Sequence, residues 1–192
     1  MPHYINHLLL ALLLLTTACT SDDSMPNGII QGPVNDKAQA VYEGNWTIDN
    51  YNAGTAEMTA SSSGFSFGTI PFAAILRMAI PHSNVSCDNT TGFVVPYTET
   101  GISDQAIYMQ LNSSMWSTPA TIDDQNVTAR IYFASPFNTQ HRRHIATYSR
   151  LSGNYTMTLY VARVELADNE GQTVRTVEAD LTMTFATTRR TK

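Results

Sequence analysis

Gly64-Phe65-Ser66-Phe67-Gly68 fits the pattern G-x-S-x-G. In a nucleophile elbow that pattern holds a serine on a sharp strand-to-helix turn, within reach of an Asp/His pair. Asp123 or Asp124, and then His141 or His144, follow in the order Ser, Asp, His. An elbow also needs a helix that begins at the serine and parallel strands joined by helices. Pro71 lies five residues past Ser66, where its ring would interrupt such a helix. The segment therefore reads first as a strand whose Ser66 points away from Phe65 and Phe67. Serine hydrolysis through Ser66 is the remote alternative.

The run His141-Arg142-Arg143-His144 places two imidazoles three residues apart. A zinc site wants three or four ligands, and no third His or Cys lies nearby, so no metal is expected. The run reads as an exposed basic loop that could meet an anionic ligand or surface. Trp116 stands in a polar stretch between Ser114-Met115 and Ser117-Thr118. An aromatic in such a place points either to a binding surface or to packing over a barrel end. Trp116, His141, Arg142, Arg143 and His144 are the candidate binding surface. The pairs Asp22-Asp23, Asp123-Asp124 and Asp168-x-Glu170 lack EF-hand spacing. No catalytic set and no cofactor is expected, and the chain reads as non-enzymatic.

The N-terminus carries the clearest address. Leu8–Leu15 is almost pure leucine, and Thr16-Thr17-Ala18 leads into Cys19. An apolar run of this length followed by small residues reads as a secretory signal peptide. It is shorter than the roughly 17–25 residues that a spanning helix needs. Small residues followed at once by Cys resemble the lipobox of bacterial lipoproteins, which implies removal of residues 1–18 and a lipid on Cys19. Thr20-Ser21-Asp22-Asp23 resembles the export signal of surface lipoproteins in Bacteroidetes. These resemblances imply a protein lipid-anchored to the outer membrane and exposed at the cell surface. Residues 19–38, with Pro26, Gly28, Gly32 and Pro33, read as a flexible tether.

The remainder, 39–188, is long enough for one domain. The formal charge is −5, which argues against nucleic acid, since phosphate needs a basic face. Only 14% of residues are charged, against roughly 25% in typical soluble domains. Ser, Thr and Asn take up the surface, a composition suited to half-exposed strands. There are two cysteines. With Cys19 lipidated, Cys87 has no partner within the chain and reads as a small apolar residue in or under a loop, with an intermolecular disulfide as the alternative.

The elements needed to position these groups follow from periodicity. Tyr42, Gly44, Trp46 and Ile48 share one face of a strand over 41–48. Strands are expected over 55–60 and 65–69, with a turn at Ser61–Gly64. Phe72, Ile75, Leu76 and Ala79 match i, i+3, i+4, i+7, so one short helix is expected at about 71–80. Further strands are expected within 92–100, over 106–111 and over 127–134, and 135–150 reads as irregular. Residues 155–166 and 173–185 flank Asp168-Asn169-Glu170-Gly171 and form a long β-hairpin. Val177, Ala179, Leu181, Met183 and Phe185 alternate with polar residues, as in an antiparallel sheet with one wet face.

The expected fold is all-β: an antiparallel seven- or eight-stranded barrel, or a two-layer sandwich, with one short helix. Tyr42-x-Gly44-x-Trp46, the segment Phe65-x-Phe67-x-x-Ile70-Pro71-Phe72-x-x-Ile75 and the closing hairpin resemble the lipocalin-like or calycin-like lipoproteins of Bacteroidetes. The resemblance covers residues 39–187. It implies an eight-stranded barrel, often hollow, and supplies no catalytic residues. The expected function is a non-enzymatic binding or interaction module, with a small apolar ligand or an envelope protein as partner. The alternative is a structural or assembly subunit of a surface complex.

Overall fold

The computed structural model describes residues 40–89, 93–134 and 144–191. The proposed signal peptide, Cys19 and the tether lie outside the described residues, as do His141, Arg142 and Arg143.

The chain forms β1 (Ala40–Ile48), β2 (Tyr51–Ser61), β3 (Gly64–Phe67), α1 (Phe72–Ala79), β4 (Val85–Cys87), β5 (Val94–Val95), β6 (Tyr97–Ile102), β7 (Ala106–Leu111), β8 (Met115–Ile122), β9 (Gln125–Phe133), β10 (Ile145–Ser149), β11 (Asn154–Ala167) and β12 (Thr173–Arg190). Every strand pairing is antiparallel. The all-β class, with a single short helix among the described residues, is as expected from the sequence. β12 continues to Arg190, past the expected boundary at 188.

β11 and β12 form the spine. The first half of β11 (154–158) pairs with β10, and its second half (161–167) pairs with β9. The sheet therefore forks into two curled lobes. In the first lobe the ladders run β1–β2–β3–β5, step through Pro96 into β6, and continue β6–β7–β10–β11–β12–β1. With 94–102 counted as one bent strand, that circuit has eight members and returns to its start. Pro96 sits at the bend, where a missing N–H costs the ladder least.

In the second lobe β12, β11, β9, β8 and β4 form a curled sheet. α1 packs against β4, β11 and β12 and so spans the opening of that curl. Its buried face is Phe72, Ala73, Ile75, Leu76 and Ala79. Asn89 fixes its start: the Asn89 carbonyl accepts the Ile70 N–H at 2.8 Å, and Asn89 Oδ1 accepts the first-turn N–H of Ala73 at 3.1 Å. A helix start with an unmet N–H is thereby satisfied from outside the helix.

The forked sheet needs a change of phase in β11. Tyr155, Met157, Leu159 and Val161 are buried, and then Val164 and Leu166. A bulge between Val161 and Arg163 supplies the extra residue that moves the buried face from odd to even positions. The interiors of both lobes join in a single apolar core.

Candidate functional site

The hollow of the first lobe is filled by aromatic rings. Trp46 lies with its ring centroid 4.9 Å from Phe67 and 4.8 Å from Phe185, and Phe67 meets Phe185 edge-on at 5.1 Å. Above this layer, Tyr155 packs against Tyr42 at 5.1 Å, Tyr148 at 4.9 Å and Phe65 at 5.3 Å. Phe65 stacks on Tyr97 at 4.8 Å. Trp46, Tyr42, Tyr148, Tyr155, Phe65 and Phe185 are all fully buried. Their alternation along β1, β3, β10, β11 and β12 brings them inward. Trp46 Nε1–H donates to the Thr69 carbonyl at 3.1 Å, so its one polar atom is met. Burial pushes the phenols of Tyr42, Tyr148 and Tyr155 well above their ordinary range, Tyr155 most of all, since its tyrosine neighbours add to the desolvation. These rings act as neutral wall material.

Trp116 and His144 are brought into one cluster, but inside the protein. Trp116 lies 4.6 Å from Phe133, and Phe133 lies 5.8 Å from His144. Phe72 and Phe93 flank Trp116 on its other side. Trp116 is 2% exposed and His144 is 0% exposed. Neither presents an outer surface, so the expectation of a binding surface at these two residues is corrected: they are core. Trp116 is on β8, an alternating strand hidden in the sequence by Thr118, Pro119 and Ala120.

His144 carries an unmet demand. Its ring nitrogens are buried without a well-formed hydrogen bond, and the Tyr160 backbone is the polar group they contact. Burial pulls its pKa down, and the Tyr160 backbone opposes this in part. The main chain at His144 is held firmly: its carbonyl accepts the Leu111 N–H at 2.9 Å and Gln110 Nε2–H at 2.9 Å.

Ser66 is not on an elbow. It lies within β3, in register with Thr59 on one side and Val94 on the other, and is exposed. Asp123 Oδ1 accepts the Asn84 N–H at 2.7 Å, which holds the Asp123 carboxyl below its ordinary range and ties β4 to the β8–β9 turn. A Ser–His–Asp relay needs a histidine bonded to both partners, whereas the His144 nitrogens bond to neither.

Two shallow grooves lie on the outer faces. One, of about 500 Å³, is lined by Cys87, Asp88, Thr121, Asn126 and Asn169 among others. Cys87 is on edge strand β4 rather than in a loop, and burial pushes its thiol pKa up, so it is a poor nucleophile. The second groove, of about 600 Å³, contains Glu43 and Glu57. These carboxylates face each other across β1 and β2, a pairing the sequence reading missed because register is not visible in a single strand. Acid–base work on a glycoside needs one carboxyl raised in pKa. Here Arg189 grips Glu43 through two bonds of 2.8 Å and holds its pKa low. The pair is a surface charge arrangement. Among the described residues no group of three or more His, Cys, Asp or Glu could hold a metal ion, and no helix is long and apolar enough to cross a membrane.

The sheet also leaves a free edge. β12 pairs with β1 only from Met183 onward, with Thr182 tied to Asp49 through its N–H and its carbonyl. Thr173–Glu178 pair with β11 on one side and with no strand on the other among the described residues. Five of these six residues are exposed, and Val174 is 59% exposed.

No protein-family model, no curated protein and no solved structure matches this chain.

Proposed function

We propose that this chain is a lipid-anchored, surface-displayed interaction module of the cell envelope, without enzymatic activity, that docks a partner along Thr173–Glu178 of β12. One observation carries the reading: a six-residue strand edge, five of its residues exposed, that pairs with β11 on one side and with no strand on the other among the described residues. Such an edge offers main-chain N–H and C=O groups to an extended segment, which joins the sheet as an added strand. The partner is an extended segment of another envelope protein. The anchor is Cys19, as the lipobox resemblance implies. A lipocalin-like relationship fits the eight-membered ladder circuit.

The filled first lobe favours this reading over a small apolar ligand. A calyx that takes such a ligand needs volume inside the barrel, and here Trp46, Phe67 and Phe185 occupy it. The test is a photo-crosslinking amino acid placed at Thr176 in the host cell, with Tyr108 on the outer wall as the control position. A discrete protein adduct at 176 that is absent at 108 supports the reading. No adduct at 176, or equal adducts at both positions, defeats it.

A further inference from the structure

The first lobe has one rim at which several chain ends meet. β1 begins there at Ala40, β6 ends at Ile102, β7 begins at Ala106, β10 ends at Ser149, β11 begins at Asn154 and β12 ends at Arg190. Ala40, the first described residue, therefore stands at this rim. Two turns project from it side by side, clamped by the Arg150 N–H on the Gln105 carbonyl at 2.9 Å. They carry the two most exposed large aliphatic side chains among the described residues, Leu151 at 81% and Ile102 at 63%. Beside Leu151, Arg150 has a buried Nε with no hydrogen-bond partner. Arg150 as a whole is half-buried, so a phosphate oxygen would meet the part of its guanidinium that reaches water rather than the buried Nε.

We infer that this rim is a membrane-contacting face, with Leu151 and Ile102 entering the headgroup layer and Arg150 bonding a lipid phosphate. Exposed aliphatic tips beside a cation are the composition of an interfacial contact. The cations Arg150, Arg189 and Arg190 are matched by the acids Glu43, Glu99 and Asp104 on the same rim, and Arg189 is already held by Glu43. Long-range attraction to acidic lipid is therefore weak, and the contact depends on insertion together with the proximity that a tether supplies. The inference rests on the anchor part of the proposed function and not on the β12 edge. It orients the domain: the barrel rim faces the bilayer and the turn at Asp49–Asn50 faces away.

The test uses acylated protein in phosphatidylcholine liposomes, in a Cys87→Ser background, with a spin label at Leu151→Cys or, at the opposite end, at Tyr51→Cys. The label at 151 is expected to lose accessibility to a water-soluble relaxant severalfold on liposomes, with little change in high salt, while the label at 51 keeps it. Equal accessibility at both positions overturns the inference. The mass of the N-terminal peptide is read first. Absence of an acyl group defeats the anchor reading and the membrane-facing rim with it, whereas an acyl group present with equal accessibility at 151 and 51 overturns the rim alone.

Discussion

Gly44 and Phe185 are in contact so close that no side chain fits between them. A Cβ on residue 44 would lie 2.5 Å from Phe185 Cζ and 2.6 Å from the Ala186 carbonyl oxygen. Residue 44 faces inward on β1, and the missing side chain is the space into which the Phe185 ring enters the Trp46 layer. Gly44→Ala is expected to destabilise the protein by about 2–3 kcal/mol, at the upper end of overpacking costs. Thermal or urea unfolding of the variant measures it, and an unchanged midpoint would mean that the ring layer is loosely packed.

Trp116 provides a check on its burial. With both tryptophans at 2% exposure or less, intrinsic fluorescence should peak at short wavelength and resist acrylamide quenching. Trp116→Ala should cost about 3–5 kcal/mol, as for a large ring removed from a core. Efficient quenching, or a variant as stable as the parent, would return Trp116 to the surface.

His144 makes stability depend on pH. Burial lowers its pKa in the folded state, so between the folded value and the unfolded value of about 6.5 the unfolded chain binds the extra proton. Stability then rises with pH through that window. It is fully present above the unfolded value and is lost as pH falls toward the folded one. Tyr160 is the ionisable ring packed beside the imidazole, at 6.0 Å. His144→Phe keeps a ring among Phe133 and Tyr160 and removes the titrating nitrogens. Urea unfolding at pH 7.5 and pH 5 should show the wild type losing more stability than the variant on acidification. An equal loss in both would exclude His144 as the cause.

Cys87 should react slowly. Its half-buried thiol has a raised pKa, so alkylation by iodoacetamide at neutral pH is expected to run several times slower than for a free thiol of pKa about 8.5. A rate equal to or above the free thiol would show that the β4 edge opens readily.

Much of this fold was legible in the sequence because period two is strong where one face is apolar. β1, the β11–β12 hairpin and the helix at 72–79, expected at 71–80, all announce themselves that way. β4, β8 and β10 did not. Val85–Cys87 is too short to show a period. Met115–Ile122 buries Trp116, Thr118, Ala120 and Ile122 but exposes Met115 and Pro119, so a threonine on the inner face and apolar residues on the outer one blur the alternation. Ile145–Ser149 exposes its isoleucine and buries Ala146 and Tyr148. β4 and β8 are two of the five strands of the second lobe, and β10 is one wall of the first. The free edge of β12 was not legible either, because pairing depends on where β1 turns back at Asp49. Trp46 was correctly placed in the core by its phase in β1, while Trp116 was left open between surface and packing.

Packed aromatic rings inside the eight-membered circuit separate an interaction module from a carrier of small apolar molecules. Native mass spectrometry of the protein isolated from its own host tests this distinction. The expected spectrum shows no noncovalent mass released on unfolding. A stoichiometric apolar small molecule that stays bound in the folded ion and is lost on denaturation would contradict it.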